Sequence, residues 1–152
     1  MPLVSVLMGS ESDRSYMQET MDTLEQMGIE GELKVISAHR QPNKLREYIS
    51  QATANGVELF IAGAGAAAHL PGVIASLTTK PVIGIPLPTS DLKGQDSLYA
   101  IVQMPAGVPV ATVAIGKAGA RNAAYLAAQI LGIKYPEIAE KYNEYRRQLA
   151  ER

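Results

Sequence analysis

The chain has 152 residues, a formal charge of −1 and a composition that is 47% hydrophobic and 19% charged. That length fits one domain, and the near-neutral charge argues against nucleic acid or an anionic membrane as a main partner. The absence of cysteine excludes disulfides, thiolate metal sites and cysteine nucleophiles, and no apolar stretch approaches the ~18 residues that span a bilayer.

The N-terminal MPLVSVLMGS has no basic segment and enters a strand-like run at once, so it does not read as a signal peptide. The cytoplasm is the expected location. Leu3–Met8 reads as a buried strand. Over Ser12–Met27, the residues Met17, Met21, Leu24 and Met27 recur at spacings of four and three, one face of a helix, and Gly28 suits its end. Leu33–Ser37 is a second strand. Pro42–Ala54 is a second helix, with Pro in its first turn and Leu45, Tyr48 and Ile49 inward. Val57–Ala62, Pro81–Ile85 and Val110–Ile115 are the third, fourth and fifth strands, with a long connection over Pro86–Met104 in which Lys93 and Ser97 could reach a ligand or a neighbouring subunit. Gly119–Leu131 is an Ala-rich helix, and Pro136–Glu151 a charged amphipathic one.

Strands that alternate with helices and are apolar throughout imply a parallel sheet covered on both faces. Five of them predict a flavodoxin-like, doubly wound, three-layer α/β/α domain over residues 1–152. Ligands then sit beyond the carboxyl ends of the strands, where the strand order reverses. The core is poor in large aromatics, with one Phe and no Trp, and Ala and Gly crowd Ile61–Ala68 and Ala118–Ala128. Such residues serve either close approach to a ligand or subunit, or helix–sheet packing within the monomer.

The loops after the first three strands carry the chemistry. In Gly9–Asp13, Gly9 permits a tight turn, Ser10 and Ser12 offer groups that attract phosphate at a helix start, and Asp13 could accept from a ribose diol. Alternatively, Ser12 or Asp13 is only a helix cap. In Ser37–Arg40, His39 is a side chain of the type that can carry a proton between substrate atoms, while Arg40 can grip phosphate. The alternative is a solvated surface pair. Gly63–Gly72 is read as a small-residue loop that presents backbone N–H groups at close range. His69 within it is either a site residue or a structural residue at a helix start.

The motifs MGSESD (Met8–Asp13), SAHR (Ser37–Arg40), GAGAAAHLPG (Gly63–Gly72), Asp96–Gly116 and Gly119–Leu131 resemble the phosphoribosylaminoimidazole carboxylase catalytic-subunit (class I PurE) family, from about Val4 to the last helix. The resemblance implies a homo-octameric isomerase of purine biosynthesis, with sites where subunits meet and the helix at 136–151 packing on a neighbour. Its bacterial members move a carboxyl group from the exocyclic amine of a carboxyaminoimidazole ribonucleotide to ring C4, without ATP. Position by position it implies His39 as the acid/base. Substrate contacts would come from Ser10, Ser12, Asp13, Ser37, Ala38 and Arg40, and from the loop of Gly63, Ala64, Gly65, Ala66, Ala67, His69 and Leu70. No metal or organic cofactor is expected. The family loop usually reads GAGGAAHLPG, so Ala66 stands where a glycine is usual, and a positive φ there would strain it. The animal-type relative has lysine after the SAH histidine and lacks the AAHLPG loop, which puts this chain with the mutase branch.

The expected reaction starts with loss of CO2 from the carbamate in a closed pocket, followed by attack of C4 on the trapped CO2. His39 protonates the amine and then removes the C4 proton, with loop N–H groups holding the carboxylate. The nearest rival is direct carboxylation of aminoimidazole ribonucleotide by CO2. A rival of another class is a flavin- or nucleotide-binding domain, for which the chain is poor in stacking aromatics.

Overall fold

A computed structural model describes residues 2–152. Val4–Met8 (β1) is buried at every position, as a strand covered on both faces must be. It is followed by a 3-10 turn at Glu11–Asp13, the helix Arg14–Gln26 (α1), Gly31–Val35 (β2), Pro42–Ala54 (α2), Leu59–Gly65 (β3) and Leu70–Leu77 (α3). Val82–Leu87 (β4), Gln95–Val102 (α4), Ala111–Thr112 (β5), Lys117–Gly132 (α5) and Pro136–Ala150 (α6) complete the chain.

All pairings are parallel, and the sheet order is β2-β1-β3-β4-β5. The chain leaves β1 to one side for β2 and returns to its other side for β3, so the flavodoxin-like reversal lies at β1/β3. Side chains alternate between the two faces. Val4, Val6, Met8, Ile61, Ile83 and Ile85 pack with Met17 and Leu24 of α1 and with the alanines of α5. Leu7, Phe60 and Ala62 face Leu45 and Ile49 of α2, Leu70 and Ile74 of α3, and Ile101 of α4.

The small residues of α5 serve packing inside the monomer. Ala120, Ala123, Ala124, Ala127 and Ala128 are all fully buried, and the Thr20 hydroxyl on α1 donates to the Ala120 carbonyl at 2.7 Å. Gly119 cannot carry a side chain, because a Cβ there would stand 1.6 Å from the carbonyl oxygen of Ala114. Helix α6 lies on α5 through buried Ile138 and through Tyr145, which stacks on Tyr125 with centroids 4.5 Å apart. Just before α6, Lys134 and the Tyr135 hydroxyl both donate to Glu58, at 2.6 and 2.9 Å, tying this turn to the start of β3.

Several boundaries differ from the expected ones. The third strand does not stop at Ala62: Gly63, Ala64 and Gly65 pair with Ile85, Pro86 and Leu87 of β4. The second strand begins earlier, at Gly31, and is half-buried as an edge. The fifth is only two residues long, although the Val113 and Gly116 amides still bond to the Gly84 and Pro86 carbonyls. In the long connection, Ser97 is buried and donates to the Leu87 and Gly94 carbonyls, so it holds α4 and does not reach outward.

Replacement of Gly119 by Ala forces α5 off the preceding backbone and is expected to cost ~3 kcal/mol or more. For a chain of this size that lowers Tm by roughly 6–12 °C in thermal denaturation. A Tm within ~2 °C of the parent would contradict the close α5 packing.

Candidate active site

The carboxyl ends of β1, β2 and β3 converge on one cavity of about 190 Å³. Its wall includes Ser10, Ser12, Asp13, Ser37, Ala38, His39, Ala64, Gly65, Ala66, Ala67, His69 and Leu70. A larger open groove of about 1100 Å³ lies at the amino ends of β4 and β5, but its only ionisable side chain is Lys80. It has no proton-transfer pair, whereas the smaller cavity brings two histidines together.

After β1, the Ser10 hydroxyl caps the 3-10 turn, accepting from the Ser12 amide at 3.3 Å and lying 2.9 Å from the Ser12 hydroxyl. Asp13 precedes α1 but makes no side-chain cap bond. The capping role therefore falls to Ser10, and the Asp13 side chain, 5% exposed, is left beside the cavity. Burial pushes the Asp13 carboxyl up, and a backbone hydrogen bond from Ser10 partly offsets this. Gly9 has no need of glycine for its turn: its φ is not positive and a Cβ there would meet nothing within 4 Å. The open space at Gly9 belongs to the cavity.

After β2, the backbone is knotted around Ser37. Gln41 Oε1 accepts from the Ser37 amide at 3.2 Å, the Ser37 hydroxyl accepts from the Arg40 amide at 3.1 Å, and the Gln41 amide donates to the Ser37 carbonyl at 2.9 Å. This holds the peptide that carries His39. Arg40 is exposed and does not border the cavity.

After β3, Ala66 adopts φ +50, the left-handed conformation that L-residues avoid. The Ala68 amide then donates to the Ala66 carbonyl and the His69 amide to the Ala67 carbonyl, both at 2.8 Å. These tight turns deliver His69 to the start of α3, with Pro71 in its first turn. His39 Nε2 and His69 Nδ1 lie 2.8 Å apart, with ring centroids at 4.9 Å and planes at 86°.

Two residues expected in the substrate loop lie elsewhere or act differently. Gly63 sits inside β3 and does not border the cavity; its missing Cβ leaves room for Met17, whose sulfur would be 2.3 Å away from one. Gly65 likewise leaves room for Thr89, whose Oγ1 would be 1.7 Å from a Cβ. Thr89, after β4, borders the cavity and is absent from the sequence-based expectation, since a lone threonine in a long loop carries no signal beyond its place past a strand end. Among the described residues no group of three or more His, Asp or Glu is placed to hold a metal ion.

The sequence matches the family described as AIR carboxylase over residues 3–152. It is 57% identical over 145 residues to the N5-carboxyaminoimidazole ribonucleotide mutase of Saccharolobus solfataricus, covering 95% of this chain and 90% of that protein. It is 56% identical over 149 residues to the mutase of Thermotoga maritima, covering 98% of this chain and 86% of that protein. The fold superposes on the crystal structure of Treponema denticola PurE with a TM-score of 0.90 at 30% identity, covering 99% of this chain and 93% of that one.

The site is built at a cost in stability, and two substitutions measure it. The folded-state pKa of Asp13 lies above its unfolded value, so the native state holds the proton more tightly. Stability is then greatest below the ordinary carboxyl range and falls as pH rises through the raised value. Asp13→Asn is expected to raise Tm at pH 7, by an amount that shrinks as the pH is lowered into the carboxyl range; a pH-independent difference would contradict the burial cost. Ala66→Gly relieves the left-handed alanine and is expected to stabilise by ~1 kcal/mol, a Tm rise of roughly 2–4 °C by calorimetry. A fall in Tm would mean that chain stiffness outweighs the strain.

Proposed function

The chain belongs to the AIR carboxylase family, and from that membership we propose that it is an isomerase of purine biosynthesis. It converts N5-carboxyaminoimidazole ribonucleotide to the C4-carboxylated isomer without ATP. The observation that carries the reading is the near full-length identity to mutases of this name. The placement of His39 and the two serine- and alanine-bearing loops around one cavity agrees with it.

The cavity residues support a balanced reaction. The N–CO2 bond of the carbamate breaks, its electron pair stays on nitrogen, and His39 gives that nitrogen a proton. The freed amine raises electron density at C4, which attacks the retained CO2, and His39 recovers the proton from C4. The amides of Ala68 and His69 are taken up by the loop's own turns, so the carboxylate clamp falls to the exposed Ala66 and Ala67. Ser10, Ser12 and Asp13 would hold the ribose end, with Ser37 and Ala38 beside the ring. Arg40, exposed just outside the wall, would meet the phosphate.

The proposal extends to a cytoplasmic homo-octamer in which neighbours complete the sites and α6 packs on an adjoining subunit. Exposed Leu92, Tyr99 and Val102 around α4, together with Ile133 before α6 and Leu149 on it, are apolar surface that such neighbours would cover.

The test is a paired assay without ATP. N5-carboxyaminoimidazole ribonucleotide alone is expected to turn over fast, while aminoimidazole ribonucleotide needs very high bicarbonate, both followed by ultraviolet absorbance. Efficient turnover of the second at modest bicarbonate would make the protein a direct carboxylase, and silence in both would leave a binding domain. His39→Asn is expected to abolish turnover while nucleotide affinity stays within about tenfold; unchanged turnover would remove His39 from the chemistry.

A further inference from the structure

The two histidines are held by different loops on either side of β1. The ring of His39 rides on the knot around Ser37 and Gln41, and His69 rides on the left-handed turn at Ala66. Each loop is fixed by its own backbone bonds before the rings meet. The meeting itself is specific: one nitrogen of each ring, 2.8 Å apart, with the rings edge to face. The contact uses Nε2 of His39, which leaves Nδ1 as the ring nitrogen for proton transfer. Two imidazole nitrogens at that distance need one proton between them, so the contact couples the tautomer of one ring to that of the other.

We propose that His69 is a positioning residue that acts through His39, and this rests on the mutase reading above. His69 accepts at Nδ1 and keeps its own proton on Nε2. His39 then donates from Nε2 throughout the cycle and handles the substrate's proton at Nδ1. At the start His39 carries protons on both nitrogens. It passes the Nδ1 proton to the departing amine, keeps Nε2–H on His69, and takes the C4 proton back at Nδ1. The count of protons on the pair is restored at the end, and no solvent proton is required. The other ionisable side chain on the cavity wall is Asp13, with Arg40 next in the chain to His39 but outside the wall.

The test compares His69→Ala with His69→Asn, whose amide oxygen can replace Nδ1 as acceptor. His69 is exposed, so neither change opens the core, and circular dichroism checks the fold. His69→Ala is expected to lower kcat roughly 10–100-fold with KM within about threefold, and His69→Asn to recover most of the loss. A raised KM with unchanged kcat would make His69 a binding residue. An Asn variant as slow as the Ala variant would make its own proton necessary, and kcat within about twofold in His69→Ala would remove it from the reaction; each overturns the proposal. A second measurement needs no turnover. In 15N-histidine-labelled protein at alkaline pH, the ring nitrogen shifts of His39 are expected to report a single Nε2–H tautomer, relaxing to a mixture in His69→Ala. A His39 spectrum identical in the two proteins would overturn the inference even in an active enzyme. An inactive wild type with the tautomer shift present would instead fail the mutase reading alone.

Discussion

The far end of β3 has to pass between two elements that approach it unusually closely. On one side Met17 of α1 occupies the space where a side chain of Gly63 would be, and near the other end Thr89 does the same at Gly65. With no Cβ at either position, the strand continues its ladder with β4 to Leu87 and still brings α1 and the loop after β4 up against the same cavity. A bulkier strand would push α1 outward, and the 3-10 turn bearing Ser10, Ser12 and Asp13 would move with it. The cavity is thus bounded on three sides because the middle of the sheet is thin.

The alternation of strands and helices, and the meeting of the loops after the first three strands at one place, are legible in the sequence. Apolar runs of four to eight residues between helical patterns fit buried strands, and parallel order follows from their lack of a polar face. Gly63–Gly65 reads as loop because glycine and alanine carry no periodic signal, and only pairing with β4 reveals them as strand. Gly9 misleads for a related reason: a glycine can mark a turn, a close contact or an empty space, and its sequence context does not separate them. The contact between His39 and His69 joins residues 30 apart, and no spacing rule anticipates it. The strain at Ala66 is legible only because the family loop carries glycine at that position; the φ of +50 gives it a geometric form.

The polar and strained residues of the cavity are not the ones that make the domain stable. Folding is supported by the alanine face of α5 against α1 and the sheet, by the buried bond from Thr20, and by the alternating aliphatic side chains of β1, β3 and β4. The cavity by contrast holds a left-handed alanine, a desolvated carboxyl and two exposed imidazoles. Each is unfavourable or indifferent for the empty protein, and each is tolerated because the layers beneath it are well packed.

The two rims of the sheet differ from its interior. Strand β2 carries Glu32 and Lys34, bonded to each other at 2.8 Å, and β5 is paired over only two residues. A long flat apolar rim would template a further strand from another molecule, whereas a charged rim on one side and a stub on the other offer it little to bond to. The five strands are therefore a closed number for this protein, and intermolecular growth of the sheet into aggregates is disfavoured at both margins.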